Sequence, residues 1–262
     1  MNSTLLTYSN KKTNRAFTKW LVMLLMIFSF SAGMAQVAGY TKEQLASPGY
    51  TDLSVATKTI VYSGVWDDPV INPIPLPIGF TFNFNGATYN DFFLSANGFI
   101  TFGGSAPGAT NYSPINTTLG QGAIAAFARD LFVTAAFGSP QTNAVSYELT
   151  GTSPNQILKI EWRDVRRGAK GTDITGETLS MQIWLYETTN VIEIHYKQQG
   201  IASYQSAGTA QVGLRGTGTG DFNNWSYNVN SNWPVAPATM TSGTLGTDVV
   251  RIRASTGVLG AT

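Results

Sequence analysis

The chain of 262 residues contains no cysteine and a single histidine, and only 12% of its residues are charged. Without cysteine it has no thiolate nucleophile, no sulfur-ligated metal, no disulfide framework and no lipid-modified N-terminal cysteine. The lone His195 has no second histidine to share a metal site, and the chain has no Gly-x-Ser-x-Gly elbow. A charged fraction about half the usual share leaves Thr, Ser, Asn, Gln and Gly to cover the surface. A sustained 3.6-residue apolar period is also missing beyond residue 36, which excludes a helical bundle.

One long apolar run stands at the N-terminus. Lys11, Lys12, Arg15 and Lys19 precede Trp20 to Phe30, and Gly33-Met34-Ala35 puts small residues where a leader peptidase cuts. The pattern predicts a secretory signal peptide over residues 1–35. From Trp20 to Ala35 the run is shorter than the roughly 20 residues a spanning helix needs. Cleavage would therefore leave a chain that starts at Gln36, has no membrane span, and is secreted or held at the cell surface. Four basic and no acidic residues go with the leader, so twelve basic stand against fifteen acidic ones, a net −3. An acidic chain without a basic stripe is not a nucleic-acid binder.

What is abundant is strand and turn. In IGFTFNFNGATYNDFFLSANGFITFG, Phe80, Phe82 and Phe84 recur with period two, which places three rings on one face of an extended segment. Asn85-Gly86 and Asn97-Gly98 suit two-residue turns with positive φ, so the segment reads as a three-stranded meander. Leu53 with Val55, and Ile60 to Tyr62, predict a first strand or two. The four prolines between Trp66 and Pro77 exclude a central strand there. AIAAFARD, from Ala123 to Asp130, reads as a buried strand. Further strands are expected over 145–149, 157–162, 179–186 and 191–196, around Val212 and Leu214, and from Val249 to Ile252. The result is an all-β, antiparallel two-sheet sandwich, jelly-roll-like, of roughly ten to twelve strands. Its bounds are residues 52–253, after a loosely packed lead-in over 36–51 and before a disordered tail over 254–262.

The run LPIGFTFNFNGATYNDFFLSANGFITFG resembles nidogen-type extracellular modules, as do the apolar run ending in Asp130-Leu131, NVIEIHY from Asn190 to Tyr196, and QVG from Gln211. Similar modules open many proteins that Gram-negative bacteria export by a type IX route. The resemblance implies a β-sandwich and export. Its motifs are core and turn residues, so they imply no chemistry.

Candidate sites follow from residue types. Asp67, Asp68 and Asp130 are the best calcium candidates, since a hard cation wants six to eight oxygens, with turn capping as the alternative; no other cofactor is expected. In DFNNWSYNVNSNW, Trp225, Tyr227 and Trp233 with Asn223, Asn224 and Asn228 could stack a sugar ring and hydrogen-bond its hydroxyls. Trp225 and Tyr227 could equally face the core. Arg163 to Lys170 reads as a solvated basic hairpin tip, and His195 as a surface strand residue. A retaining glycosidase needs two carboxylates about 5 Å apart, and Glu161 and Asp164 fall on opposite faces of a regular strand. The expectation is a non-enzymatic module for adhesion or surface and matrix interaction, meeting an extracellular glycan or protein surface. A carbohydrate-binding module is the alternative, and a glucanase-like hydrolase the third reading.

Overall fold

A computed structural model describes residues 37–45, 50–77, 79–115, 122–133, 145–168, 179–197, 199–200, 210–218, 221–224, 244–245 and 249–254. They form nineteen strands, eleven of them four residues or longer, and a 3-10 turn over Val37–Gly39. A nine-stranded sheet runs in the order β1 (Tyr40–Leu45), β19 (Val249–Ala254), β14 (Ile192–Tyr196), β13 (Leu179–Tyr186), β12 (Ile157–Arg167), β10 (Leu131–Val133) and β3 (Trp66–Asp67). The first half of β12 also pairs with β11 (Val145–Thr150), which carries β2 (Thr59–Tyr62) at its far side. A six-stranded sheet runs β17 (Phe222–Asn224), β16 (Gln211–Arg215), β9 (Gly122–Ala128), β8 (Phe99–Phe102), β7 (Asp91–Ser95) and β4 (Pro73–Pro75). Two ribbons complete the set: β5 (Phe82–Phe84) with β6 (Ala87–Tyr89), and β15 (Gln199–Gly200) with β18 (Thr244–Leu245). Every ladder among the described residues is antiparallel.

Period-two alternation decides which faces meet. Leu158, Ile160 and Trp162 on β12, Ile183 and Leu185 on β13, and Ile192 and Ile194 on β14 are all buried. They join Phe92, Leu94, Ile100, Phe102, Ile124, Val212 and Leu214 of the six-stranded sheet in one apolar cluster. Two buried hydrogen bonds cross between the sheets. Trp162 Nε1 donates to Ser95 O at 2.9 Å, and the Tyr196 hydroxyl donates to Ala126 O at 2.6 Å. A sandwich core is thereby pinned at both its indole and its phenol, because a buried polar tip needs a partner.

Proline sits where pairing is one-sided. β4 holds Pro73 and Pro75 at the edge of the six-stranded sheet, and β3 closes an end of the nine-stranded one. The edge position of β4 asks neither proline for a second ladder donor, and β3 ends before Pro69. The all-buried β9 also bears out the strand reading of AIAAFARD.

Several expectations need correction. The aromatic segment is two hairpins rather than one meander: β5 and β6 pair only with each other, and β7 and β8 belong to the six-stranded sheet. Phe80, Phe82 and Phe84 are buried together, as their spacing predicts. The lead-in is structured, since β1 pairs with β19 from Tyr40↔Ala254 to Leu45↔Val249, a partner some two hundred residues away that local sequence does not announce. That strand also takes in Ala254. Leu53 and Val55 lie outside any strand; Leu53 is buried and Val55 exposed. As far as residue 168 the basic stretch is not a solvated tip, and residues 169 and 170 lie outside the described residues. β12 continues to Arg167 through an irregularity between Trp162 and Val165, where Asp164 has φ 52°, and Arg166 and Arg167 are buried against β10. His195 is 2% exposed, with its ring stacked on Trp184 at 3.9 Å and its Nε2 3.0 Å from Glu193 Oε2. It does face the same side as Glu193, but that side of the sheet is covered.

Candidate metal centre

Three loops meet where the carboxylates of Asp67, at the end of β3, and of Asp68 just after it approach the crossing from β9 to β10. Asp67 pairs with Phe132, which brings the Pro-rich connector against the Asp130-Leu131 corner. Asp68 follows with φ 49°, a left-handed conformation that Asp tolerates better than most residues. Asp130 lies between β9 and β10, and its carbonyl accepts from Gly168 N at 2.9 Å. Carboxylate oxygens of Asp67, Asp68 and Asp130 all lie within 4.8 Å of one another, and among the described residues this is the one such group.

Asn97 organises the corner. Its Nδ2 donates to Asp68 Oδ1 and to Ala109 O, both at 2.8 Å, while its Oδ1 accepts from Leu131 N at 2.8 Å. Its own carbonyl accepts from Arg129 N at 3.2 Å. One buried amide therefore ties the Asp68 connector, the 104–115 loop and the start of β10 together. On the outer side, the Tyr112 hydroxyl donates to Asp68 Oδ2 at 2.7 Å. Sequence reading found the three acids by type but took Asn97 for a turn residue and passed over Tyr112. The missed signal was the second Asn-Gly, whose asparagine is 1% exposed.

Electrostatics follow from this crowding. Burial pushes the Asp130 carboxyl up from 3.8 to about 6, with the charges of Asp68 and Asp67 adding to the rise and Arg129 opposing it. Burial likewise raises the Tyr112 phenol, and its hydrogen bond to Asp68 and the nearby carboxylates raise it further. The Asp130 Oδ1 atom is shut from solvent without a hydrogen-bond partner. Clustered carboxylates raise each other's proton affinity, and a bound cation would reverse the sign of that local field. The donor set fits calcium in kind, being oxygen only and carboxylate-rich.

The glycan residues fare differently. Asn223 and Asn224 close β17 at the edge of the six-stranded sheet, directly after Phe222, which is 45% exposed. Trp225, Tyr227, Asn228 and Trp233 lie outside the described residues.

Comparison with characterised proteins and with solved structures gives no match. A family profile does match, over residues 39–256, and its description is NIDO related. That span holds every strand described above, including β1 and β19 at its two ends. The expected resemblance to nidogen-like modules is thus met at the level of family, and the chain belongs to the NIDO-related family.

Proposed function

We propose that this chain is an exported, non-enzymatic module acting in adhesion or in surface and matrix interaction. The observation that carries the reading is the family match over residues 39–256, because nidogen-like modules are extracellular and non-catalytic. The leader pattern before Gln36 supports export, and a type IX route is the path proposed beyond the inner membrane. Its partner is an extracellular glycan or protein surface, since a net −3 after leader removal disfavours polyanions. Calcium bound by Asp67, Asp68 and Asp130 would stiffen the loop end by neutralising their mutual repulsion.

The test is adhesion of beads coated with the protein to surfaces bearing either neutral polysaccharide or matrix protein, with calcium and with a chelator. Binding to neither surface sinks the adhesion reading, and turnover of the polysaccharide sinks the non-enzymatic one. A carbohydrate-binding module remains the second reading, favoured by exposed Phe222 immediately before Asn223, Asn224 and Trp225. Glycan-array binding lost in Trp225→Ala or Trp233→Ala, with the melting temperature kept, selects it.

A further inference from the structure

On the side of the nine-stranded sheet turned away from the six-stranded one, a buried amine, a carboxylate and a carboxamide stand in sequence. The Lys58 side chain is fully buried, and its Nζ makes no hydrogen bond. Its neighbour is Glu161 Oε2 at 3.6 Å, on a side chain that is also fully buried. The other oxygen, Glu161 Oε1, accepts from Gln182 Nε2 at 2.7 Å, from Leu53 N at 3.0 Å and from the Tyr50 hydroxyl at 3.1 Å. Gln182 is 0% exposed; its Nε2 also donates to Thr51 O at 2.9 Å, and its Oε1 accepts from Trp184 Nε1 at 2.8 Å.

The three side chains carry the groups that acyl transfer requires. A lysine amine held away from water is a nucleophile once a base takes its proton. Glu161 touches both the amine that must lose a proton and the amide nitrogen that must gain one, so a single carboxylate can serve as base and then acid. Trp184 donates to the carbonyl oxygen on which negative charge would build. Leu53 and the residues around it cover the cluster, which keeps competing water out.

We propose that Lys58 and Gln182 become joined by an intramolecular isopeptide bond, with Glu161 as the proton carrier. Glu161 takes a proton from Nζ, and the freed electron pair attacks Gln182 Cδ. The tetrahedral carbon holds its charge on Oε1 against the Trp184 N–H. Glu161 returns the proton to Nε2, the Cδ–Nε2 bond breaks, and the second proton that Nζ sheds as the Nζ–Cδ amide forms passes through Glu161 to the departing ammonia, which leaves as ammonium. No oxidant, metal or cofactor is consumed. The bond would fasten the segment leading into β2 to β13, across β11 and β12.

The purified full chain, denatured and weighed intact, is expected to fall short of its sequence mass by one ammonia. Tryptic digestion is expected to yield a branched peptide joining the Lys58 and Gln182 segments, with cleavage after Lys58 lost. Lys58→Arg and Glu161→Gln are expected to give linear peptides only. Gln182→Glu keeps the shape of the site should those variants fail to fold, and its crosslink would cost one water in place of ammonia. An intact mass equal to the sequence mass, with a free Lys58 peptide, overturns the proposal. So does ammonia lost in an unbranched peptide, as at an Asn or an N-terminal Gln. A branch from Lys58 to Glu161 itself, with loss of water, overturns the assignment of Gln182 as acceptor.

Discussion

The dipeptide Asn-Gly occurs twice within fourteen residues and is used in opposite ways. At Asn85-Gly86 both residues have positive φ, 53° and 77°, and they close the β5–β6 ribbon as a two-residue turn with Gly86 exposed. At Asn97-Gly98 only the glycine is left-handed, at φ 81°, and the connection is three residues long because Ser95 pairs with Phe99. The first turn keeps its glycine at the surface, while Asn85 donates from N to the Tyr40 hydroxyl at 2.8 Å and from Nδ2 to Asp221 Oδ2 at 3.1 Å. The second is packed so closely that a Cβ on Gly98 would lie 2.1 Å from Phe127 O, while Gly98 O accepts from Ala126 N and Phe127 N. Turn chemistry is legible in a dipeptide, but what the rest of the chain builds around it is not.

Substitution sharpens the contrast. Gly98→Val should cost the most, about 3–5 kcal/mol, because strain at positive φ adds to overpacking against a backbone carbonyl that cannot move aside. A chemical-denaturation midpoint that stays where the wild type has it would undo the close-packed assignment. Asn97→Ala comes next, at about 2–4 kcal/mol, since it leaves the buried Leu131 amide and the half-buried Ala109 carbonyl without that partner. The same change takes a donor from Asp68 Oδ1, so if calcium binds at the proposed site, the rise in melting temperature on adding it should be smaller in this variant. An unchanged rise would separate Asn97 from the acidic corner. Gly86→Ala is the smallest, about 1 kcal/mol, because it meets positive φ at an exposed residue. A loss as large as that of Gly98→Val would erase the distinction between the two turns.

The acidic corner adds a test by pH. A carboxyl whose folded pKa is raised from 3.8 to about 6 binds more protons folded than unfolded in that window, so its contribution to stability falls as pH rises through it. Wild type should therefore lose stability relative to Asp130→Asn between about pH 4 and pH 6 without calcium, with the wild-type loss removed when calcium is present. Thermal melts of both proteins across that range read it directly, and parallel curves would contradict the burial of the Asp130 carboxyl beside Asp68 and Asp67.

The legible part of this fold is the part governed by period two. Leu158, Ile160 and Trp162 declare their face in a six-residue window, and the burial of Phe82 and Phe84 follows the same rule. What stayed hidden depends on distant partners. Nothing local to Tyr40–Leu45 reveals that Val249–Ala254 will pair with it. Arg166 and Arg167 read as solvated charge until β10 lies beside them, and His195 as a surface residue until its sheet face is covered. Asp67 and Asp130 were recognisable as oxygen donors, but their convergence is set by the pairing of Asp67 with Phe132, sixty-five positions apart in the chain.

The pairing of the first strand with the last also has a mechanical meaning. Tyr40 faces Ala254 and Leu45 faces Val249, so the outer ends of the two strands leave the sheet at the same end of one ladder. A pull applied through both ends loads Tyr40↔Ala254 first and opens the ladder one rung at a time, as a zipper parts, rather than shearing all its rungs together. A pull between one end and a bound surface takes a different path and leaves that zipper unloaded. The same closeness would let the two ends be spliced by a short linker and the chain reopened at an exposed turn such as Asn85-Gly86, a circular permutant with the same sheets in a new order.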